Sequence, residues 1–206
     1  MAKGLFITFE GGEGAGKSTQ VRRLCARLRE AGREVVETRE PGGSPGAEAL
    51  RVLVVTGARD RWSALSEMLI MNAARADHLE RTIRPALARS AVVVSDRFAD
   101  STRAYQGAGG GVELGFVERV EEGVVGETRP DLTLILDLPV EAGLARAAAR
   151  GGDDRFEQKG REFHQRLRDA FLAIAEGAPE RCVVLDGGLA IDPLAAEVWA
   201  AVEPRL

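Results

Sequence analysis

The chain has 206 residues, of which 45% are hydrophobic and 29% are charged, with a formal net charge of -4. This composition is typical of one globular domain, residues 1–206, with a substantial core. The mild negative charge gives no general attraction to nucleic acid or to anionic membranes. Two histidines and two distant cysteines, Cys25 and Cys182, do not indicate a zinc centre or a disulfide framework.

Targeting segments are not evident in the sequence either. No apolar run approaches the roughly 20 residues that a membrane span needs, and the N-terminus lacks the charged-then-apolar layout of a signal peptide. We therefore expect a cytoplasmic protein with neither a membrane nor a nucleic-acid partner.

Short apolar runs rich in β-branched residues recur along the chain and predict five buried strands. They cover residues 5–9, 35–38, 92–95, 132–137 and 182–186. The segments between them carry apolar residues at spacings of three and four, which predicts amphipathic helices. Two examples are Phe163, Leu167, Phe171 and Ile174, and Trp62, Leu65, Met68 and Leu69. Alternating strands and helices predict an α/β fold with a mostly parallel sheet, helices on both faces, and ligands beyond the carboxyl ends of the strands.

A phosphate-binding loop follows the first predicted strand. Residues 11–18 read Gly-Gly-Glu-Gly-Ala-Gly-Lys-Ser and satisfy the pattern G-x-x-x-x-G-K-[ST], directly before a helical pattern. The glycines let backbone N–H groups converge on phosphate oxygens at the positive end of that helix. We expect Lys17 to bridge the β- and γ-phosphates and Ser18 to hold Mg²⁺. The predicted triphosphate-binding residues are Gly11, Gly12, Glu13, Gly14, Ala15, Gly16, Lys17, Ser18 and Thr19.

This loop predicts binding of a nucleoside triphosphate without fixing the class of protein. Asn72 is the only asparagine and is followed by alanine, so the N-K-x-D motif of regulatory GTPases is absent. A P-loop ATPase that acts on DNA or on a partner protein stays open as an alternative, although no water-positioning residue or interaction surface identifies it.

Charged residues also follow the second and third predicted strands. Asp96 and Arg97 close the third strand, where Asp96 is similar to the acid that supports Mg²⁺ in P-loop enzymes. Arg97 could pair bidentately with a phosphate, and Arg39 follows the second strand at the same edge of the sheet. Two arginines beside a P-loop predict a second anion site that faces the triphosphate.

These motifs together resemble thymidylate kinase across nearly the whole chain. The resemblance is carried by Phe9-Glu10-Gly11, by Thr-Arg-Glu-Pro-Gly-Gly at 38–43, by Asp96-Arg97-Phe98, by Asp100-Ser101, by Ala104-Tyr105-Gln106-Gly107 and by Arg129-Pro130-Asp131-Leu132-Thr133. It implies a P-loop α/β/α fold with a five-stranded parallel sheet and a short lid, and a homodimer packed through helices. It also implies Mg·ATP as the donor and dTMP as the acceptor.

The resemblance further implies roles for residues near the acceptor phosphate and sugar. Glu13 would bind the 3′-hydroxyl of dTMP, and Arg39 and Arg97 would bind the phosphate of dTMP. Tyr105 would lie against the deoxyribose, where it would crowd a 2′-hydroxyl.

For the base, the resemblance implies that Arg75 hydrogen-bonds the thymine edge, with Ser101 and Gln106 nearby. Met71 stands where the family usually has a phenylalanine that stacks on thymine, and a thioether can still pack on an aromatic face. Asp77 replaces an expected glutamine, which would place a carboxylate near the base. We keep dUMP as a secondary acceptor and another pyrimidine monophosphate kinase, acting on dUMP, UMP or CMP, as the alternative function.

A lid at about residues 150–158 is implied as the source of a catalytic arginine, because Gly14 and Ala15 stand where the P-loop of other members has one. Arg155 and Arg150 are the candidates, and Arg146 is a weaker one. With Lys17 and Asp96 they form the expected catalytic set. The acceptor is a phosphate oxygen, mostly ionised at neutral pH, so no general base is required.

Overall fold

The computed structural model describes residues 4–58, 60–149, 151, 155–156 and 159–206. Each of the five predicted strands is present. Their bounds are Leu5–Glu10 (β1), Val35–Arg39 (β2), Val92–Asp96 (β3), Leu132–Asp137 (β4) and Cys182–Asp186 (β5). The first three strands run one residue beyond the predicted apolar runs, and the added residue is charged in every case.

Helices connect the strands. They are Lys17–Glu30 (α1), Pro45–Val55 (α2), Ala64–His78 (α3), Arg84–Ala88 (α4), Ala99–Thr102 (α5), Leu114–Val125 (α6), Val140–Ala149 (α7), Arg161–Gly177 (α8) and Ile191–Val202 (α9). A π-helical turn, Leu79–Ile83, joins α3 to α4, and the π-helical segment Arg103–Gly109 continues α5. A 3₁₀ turn, Glu203–Arg205, follows α9. Among the described helices, none has both the length and the apolar character needed to cross a membrane.

The sheet is parallel throughout and has the strand order β2-β3-β1-β4-β5. β3 pairs with both β1 and β2, so Asp96 lies in register with Phe9 on one side and with Arg39 on the other. This register gathers the charged carboxyl ends of three strands at one edge, as the sequence predicts for a ligand site in such a sheet. The predicted α/β fold is confirmed.

Alternation along the strands divides the core into layers. Leu5, Ile7 and Phe9 of β1 pack in one cluster with residues of α1 and α9, while Phe6 packs on the opposite face with Leu79 and other residues near α4. Because both faces of the sheet are covered, its central strands are apolar at nearly every position. Cys25 and Cys182 are buried free thiols within these layers.

One helix differs from its prediction. Trp62 precedes α3, which begins at Ala64 after Ser63 accepts a hydrogen bond from the backbone N–H of Ser66. Leu65 and Leu69 are 46% and 47% exposed, so they do not belong to the core stripe that their spacing predicts. Spacing identifies the helix, but it does not distinguish a core-facing stripe from an exposed apolar one.

We expect Leu134→Ala to lower the free energy of unfolding by about 2–5 kcal/mol, because it opens a cavity in a central, fully buried strand. Val184→Ala on β5 is the matched control, since Val184 is 43% exposed and should cost far less. Urea unfolding of both variants measures the difference. Equal losses would contradict the assignment of the core.

Candidate active site

The P-loop lies between β1 and α1, with Lys17 as the first residue of the helix. Lys17 is buried, and its Nζ donates to the carbonyl oxygens of Gly11 at 3.0 Å and Gly12 at 2.8 Å. Burial lowers the pKa of Lys17 to about 8, and the positive charge of Arg97 adds to this effect. The loop therefore holds the lysine ammonium close to its own backbone, within the cleft that it lines.

A close backbone contact explains why the loop has no side chain at residue 14. Gly14 has φ +69°, and a Cβ there would lie 2.1 Å from the carbonyl oxygen of Gly143 on α7. A Cβ on Gly143 would in turn lie 2.5 Å from the carbonyl oxygen of Glu13. An arginine at residue 14 is sterically excluded, which agrees with the expectation that a catalytic arginine comes from elsewhere.

Two oxygen ligands suited to Mg²⁺ meet at the edge of the loop. Ser18 Oγ donates to Asp96 Oδ2 at 2.5 Å, which joins the start of α1 to the end of β3. Hydroxyl and carboxylate oxygens are hard ligands of the kind that Mg²⁺ prefers. In the described part of the chain, no group of three or more His, Cys, Asp or Glu side chains could hold a metal ion. A cation here would depend on substrate phosphates for further ligands.

Arg97 connects the P-loop to the acceptor side. Its Nη2 donates to Glu13 Oε1 at 3.0 Å and to the Tyr105 hydroxyl at 2.9 Å, and its Nη1 donates to Ser101 Oγ at 3.1 Å and to the Gly11 carbonyl at 3.2 Å. The Tyr105 hydroxyl donates to Glu13 Oε1 at 2.5 Å. Arg97 therefore contacts three other predicted acceptor residues, Glu13, Ser101 and Tyr105.

The positive charges of this cluster stabilise the ionised form of Glu13. Burial alone would raise the pKa of Glu13, but Arg97, Lys17 and the Tyr105 hydroxyl outweigh it and lower that pKa to about 2. Arg97 also has φ +72°, a left-handed backbone conformation that is uncommon for a side chain with a Cβ. Such conformations persist where the surrounding contacts determine them, as the bonds of Arg97 do here.

Glu10 supports this arrangement, although the sequence assigns it no role. It is fully buried, accepts hydrogen bonds from the backbone N–H groups of Phe98 at 2.8 Å and Ser101 at 3.3 Å, and accepts one from Ser101 Oγ at 2.6 Å. Burial, with a contribution from Asp100, raises the pKa of Glu10 to about 7. The only sequence signal for it was its place in the Phe9-Glu10-Gly11 motif.

A cleft of about 320 Å³ lies between the P-loop and the acceptor side. Its lining residues are Glu13, Gly14, Ala15, Gly16, Lys17, Ser18, Arg39, Glu40, Pro41, Arg51, Val55, Met71, Asp96, Arg97, Ser101, Tyr105 and Phe156. Most of the predicted residues are among them. Thr19 lies on the first turn of α1 and donates its backbone N–H to Gly16 at 3.1 Å.

Arg39 lines the cleft and is largely exposed. Its Nη2 donates to both carboxylate oxygens of Glu48, at 3.0 and 3.2 Å, and Glu48 also accepts from the backbone N–H of Gly43 at 2.9 Å. An anion in the cleft would share Arg39 with Glu48. Arg39 and Arg97 thus flank the same cleft, as the sequence predicts for a second anion site.

Arg75 is buried behind the cleft. Its Nε donates to Glu40 Oε2 at 2.8 Å, its Nη1 to Asn72 Oδ1 at 3.2 Å, and its Nη2 to the Phe98 carbonyl at 3.1 Å and to Thr102 Oγ1 at 3.0 Å. Sequence reasoning missed Glu40, which anchors this guanidinium. The four bonds leave one of the five N–H groups of Arg75 for a ligand.

Asp77 does not line this cleft. Its Oδ2 accepts from Ser44 Oγ at 2.6 Å and from the backbone N–H of Gly46 at 3.1 Å, and its Oδ1 accepts from Arg81 Nε at 2.6 Å. The carboxylate therefore holds the start of α2. Met71 lines the cleft and Asp77 does not, so the structure does not support the expectation that residue 77 lies near the base.

Of the two arginines predicted for a lid, Arg150 lies outside the described residues, whereas Arg155 is described. Arg155 is buried, donates from Nη1 to the Val54 carbonyl at 3.1 Å, and is ion-paired with Glu67. This ion pair would have to open before Arg155 could reach a transferred phosphate, so its catalytic role stays a prediction. Arg146 donates to the Gly187 carbonyl at 2.7 Å and so joins α7 to the loop after β5.

Glu10→Gln should change how stability depends on pH. The raised pKa of Glu10, about 7 against an ordinary 4.5, means that the folded state keeps a proton that the unfolded state loses between these values. Stability of the wild-type protein should therefore fall by up to about 3 kcal/mol from this group as pH rises from 5 to 8.

The measurement is urea unfolding at pH 5 and pH 8. Glu10→Gln should lose this component of the slope, whereas the exposed control Glu176→Gln should keep it. The same slope in wild type and Glu10→Gln would show that Glu10 does not titrate in this range.

Comparisons with known proteins agree with the motifs. The profile of the thymidylate kinase family matches residues 9–198. A thymidylate kinase from Caulobacter vibrioides is 61% identical over 206 residues, covering 100% of this chain and 99% of the relative. One from Pseudomonas fluorescens is 57% identical over 192 residues, covering 93% and 90%.

The fold agrees as well. The crystal structure of thymidylate kinase from Ehrlichia chaffeensis superposes with a TM-score of 0.79 at 33% sequence identity, covering 98% of this chain and 99% of that one. The resemblance drawn from the motifs is confirmed over the full length. The chain belongs to the thymidylate kinase family.

Proposed function

We propose that this enzyme transfers the γ-phosphate of ATP to dTMP and forms dTDP, by in-line displacement between two bound phosphates, for dTTP synthesis. The observation that carries this proposal is the cleft in which the P-loop, with Lys17, lies opposite Arg39 and Arg97. One side suits a triphosphate, and the other suits a monophosphate. The names of the full-length relatives favour dTMP over other pyrimidine monophosphates and over the ATPase alternative.

On the acceptor side, Arg97 and Arg39 are proposed to bind the phosphate of dTMP. Glu13 is proposed to accept a hydrogen bond from the 3′-hydroxyl. Its lowered pKa keeps the carboxylate ionised, and so a hydrogen-bond acceptor, at neutral pH. Tyr105 lines the same cleft beside Glu13, where its ring would lie against the sugar. Met71 lines the cleft on α3 and is the proposed platform for the base.

On the donor side, Lys17 and the backbone of residues 11–19 are proposed to hold the triphosphate. Ser18 and Asp96 would hold Mg²⁺, which when bound neutralises charge on the β- and γ-phosphates. Because the nucleophile is a phosphate oxygen, the protein has mainly to align the two phosphates and exclude water. Arg150 and Arg155 of the lid are the candidates for a further positive charge at the transferred group.

The test is ADP formation from Mg·ATP with dTMP, dUMP, UMP, CMP, AMP or no acceptor. We expect strong dependence on dTMP, with little ADP in its absence. Lys17→Met should reduce turnover by about 10³-fold or more while the protein stays folded, because it removes a charge at the reacting phosphates. Arg33→Met, remote from the cleft, is the matched control and should retain activity.

Different outcomes of this assay would contradict different parts of the proposed function. Acceptor-independent ADP formation would favour an ATPase, and equal efficiency with dTMP and CMP would favour a broader pyrimidine kinase. Near wild-type turnover in Lys17→Met would contradict the assignment of the P-loop.

We also propose a homodimer in the cytoplasm. Large apolar side chains are exposed on α2, α3 and α6, and α3 packs against both of the other two helices. These side chains, which we call the apolar helix face, are Val52, Leu65, Leu69, Leu114 and Phe116. Exposed large apolar side chains on neighbouring helices indicate an interaction surface, and a second copy of the chain is the proposed occupant.

Leu65→Glu combined with Leu69→Glu should convert the dimer to a monomer in sedimentation velocity experiments, because charges would be buried without partners at the interface. Ile191→Glu is the control, since Ile191 is 54% exposed on α9, outside the apolar helix face. A wild-type protein that sediments as a monomer would contradict the dimer.

A further inference from the structure

Arg39 depends on one residue for its position. Among the residues that the structure describes, Glu48 is the only hydrogen-bond partner of its guanidinium, whose Nη2 donates to the two carboxylate oxygens at 3.0 and 3.2 Å. Arg97, the other arginine of the proposed phosphate site, has four such partners. Arg39 ends β2, an edge strand of the sheet, and its side chain is 55% exposed. Without Glu48, the guanidinium would be free to change its orientation.

Glu48 is itself held in place. It lies in the first turn of α2, and its Oε1 accepts from the backbone N–H of Gly43 at 2.9 Å. This N–H lowers the pKa of Glu48, with a smaller contribution from Arg39, so the carboxylate is ionised at neutral pH. Gly42 leaves room for it, because a Cβ at residue 42 would lie 2.5 Å from Glu48 Oε1. The carboxylate therefore offers Arg39 a fixed and charged partner.

α2 also holds the segment 39–43, which we call the acceptor loop, at a second point. Arg51 lies three residues after Glu48, on the same side of the helix, and donates to the Pro41 carbonyl at 2.6 Å. α2 is thus bonded to the backbone of the acceptor loop at both Pro41 and Gly43. The helix that carries Glu48 and the loop that follows Arg39 keep a defined relative position.

Glu48 contacts Arg39 without lining the cleft. Arg39 lines both the cleft and a neighbouring open groove, whereas Glu48 lines only the groove. The carboxylate therefore holds the guanidinium from the groove and leaves the cleft to a ligand. Of the five N–H groups of a guanidinium, the two on Nη2 are directed to Glu48. The two on Nη1 and the one on Nε are left for a phosphate.

We propose that Glu48 is a positioning residue that orients Arg39 for the phosphate of the acceptor nucleotide. The inference rests on the proposed function, because it assumes that a nucleoside monophosphate binds with its phosphate at Arg39. A guanidinium that is already ordered loses less conformational entropy on binding than a free one. The carboxylate also repels the phosphate, but salt screens that repulsion. We expect the ordering of Arg39 to be the larger effect.

Equilibrium binding of dTMP and of thymidine, which lacks the phosphate, tests this role. Glu48→Gln keeps an oxygen for the Gly43 N–H but removes the charge that holds Arg39. We expect dTMP binding to weaken by about three- to fivefold, the size of effect typical of one exposed ion pair, and thymidine binding to stay within about 1.5-fold of wild type. The ratio of the two dissociation constants isolates the contribution of the phosphate.

A double-mutant cycle shows whether Glu48 acts through Arg39. In the Arg39→Met background, Glu48→Gln should not change the ratio further. A role confined to the backbone of the acceptor loop would persist in that background, because the bond from the Gly43 N–H does not involve Arg39. Glu34→Gln is the matched control and should leave the ratio unchanged, since Glu34 forms an exposed ion pair with Arg89 at the other end of β2.

An unchanged ratio or tighter dTMP binding in Glu48→Gln would overturn the inference, as would an equal loss in Glu34→Gln or an undiminished loss in the Arg39→Met background. A ratio that Arg39→Met alone leaves unchanged would overturn it too, because Glu48 could not then act through Arg39. A wild-type enzyme that does not bind dTMP would instead refute the proposed function, and the wild-type measurement reports this separately.

Discussion

The active-site cleft depends on one guanidinium. Arg97 stands just past the end of β3 in a left-handed backbone conformation and bonds to the P-loop at Gly11 and Glu13 and to the acceptor side at Ser101 and Tyr105. Its guanidinium therefore reaches both walls of the cleft. Without it, the partly buried Glu13 carboxylate would lose the largest of the charges that lower its pKa, and a poorly balanced charge in a partly buried site is unfavourable.

The fully buried carboxyl group of Glu10 fixes the segment of chain that carries Arg97. Glu10 binds the backbone of Phe98 and both the backbone and the hydroxyl of Ser101, so the turn after β3 is held from the end of β1. The sheet register places these strand ends side by side. The fold therefore brings the strand ends together, and a few polar contacts there fix the positions of the charged side chains of the site.

The sequence predicted the strands and the P-loop because these depend on local patterns, and the family resemblance added Met71, Ser101 and Tyr105 of the cleft. Apolar runs located β1 to β5, and the glycine-lysine-serine motif located the phosphate site. Residues whose role depends on distant contacts were not predictable in this way. Glu10 and Glu67 look like ordinary glutamates in the sequence, since nothing local indicates that each is buried against a partner on another element.

Two further differences have the same physical origin. Leu65 and Leu69 fit a helical apolar stripe, but spacing does not show which surface of the protein a stripe faces. Asp77 was expected near the base because of its neighbours in the motif, yet it bonds to the start of α2. For Leu65 and Leu69 the periodicity of the helix was read correctly, and for all three residues the packing of α3 against other elements decided the outcome.

The contact between Gly14 and Gly143 restricts the sequences that this fold can accept. A Cβ on Gly14 would collide with the backbone of α7, and a Cβ on Gly143 would collide with the backbone of the P-loop. Neither glycine can therefore be replaced alone. A P-loop arginine at residue 14 would require α7 to withdraw from the loop. Backbone packing therefore keeps an arginine out of this part of the loop, and a single substitution at either glycine cannot change that.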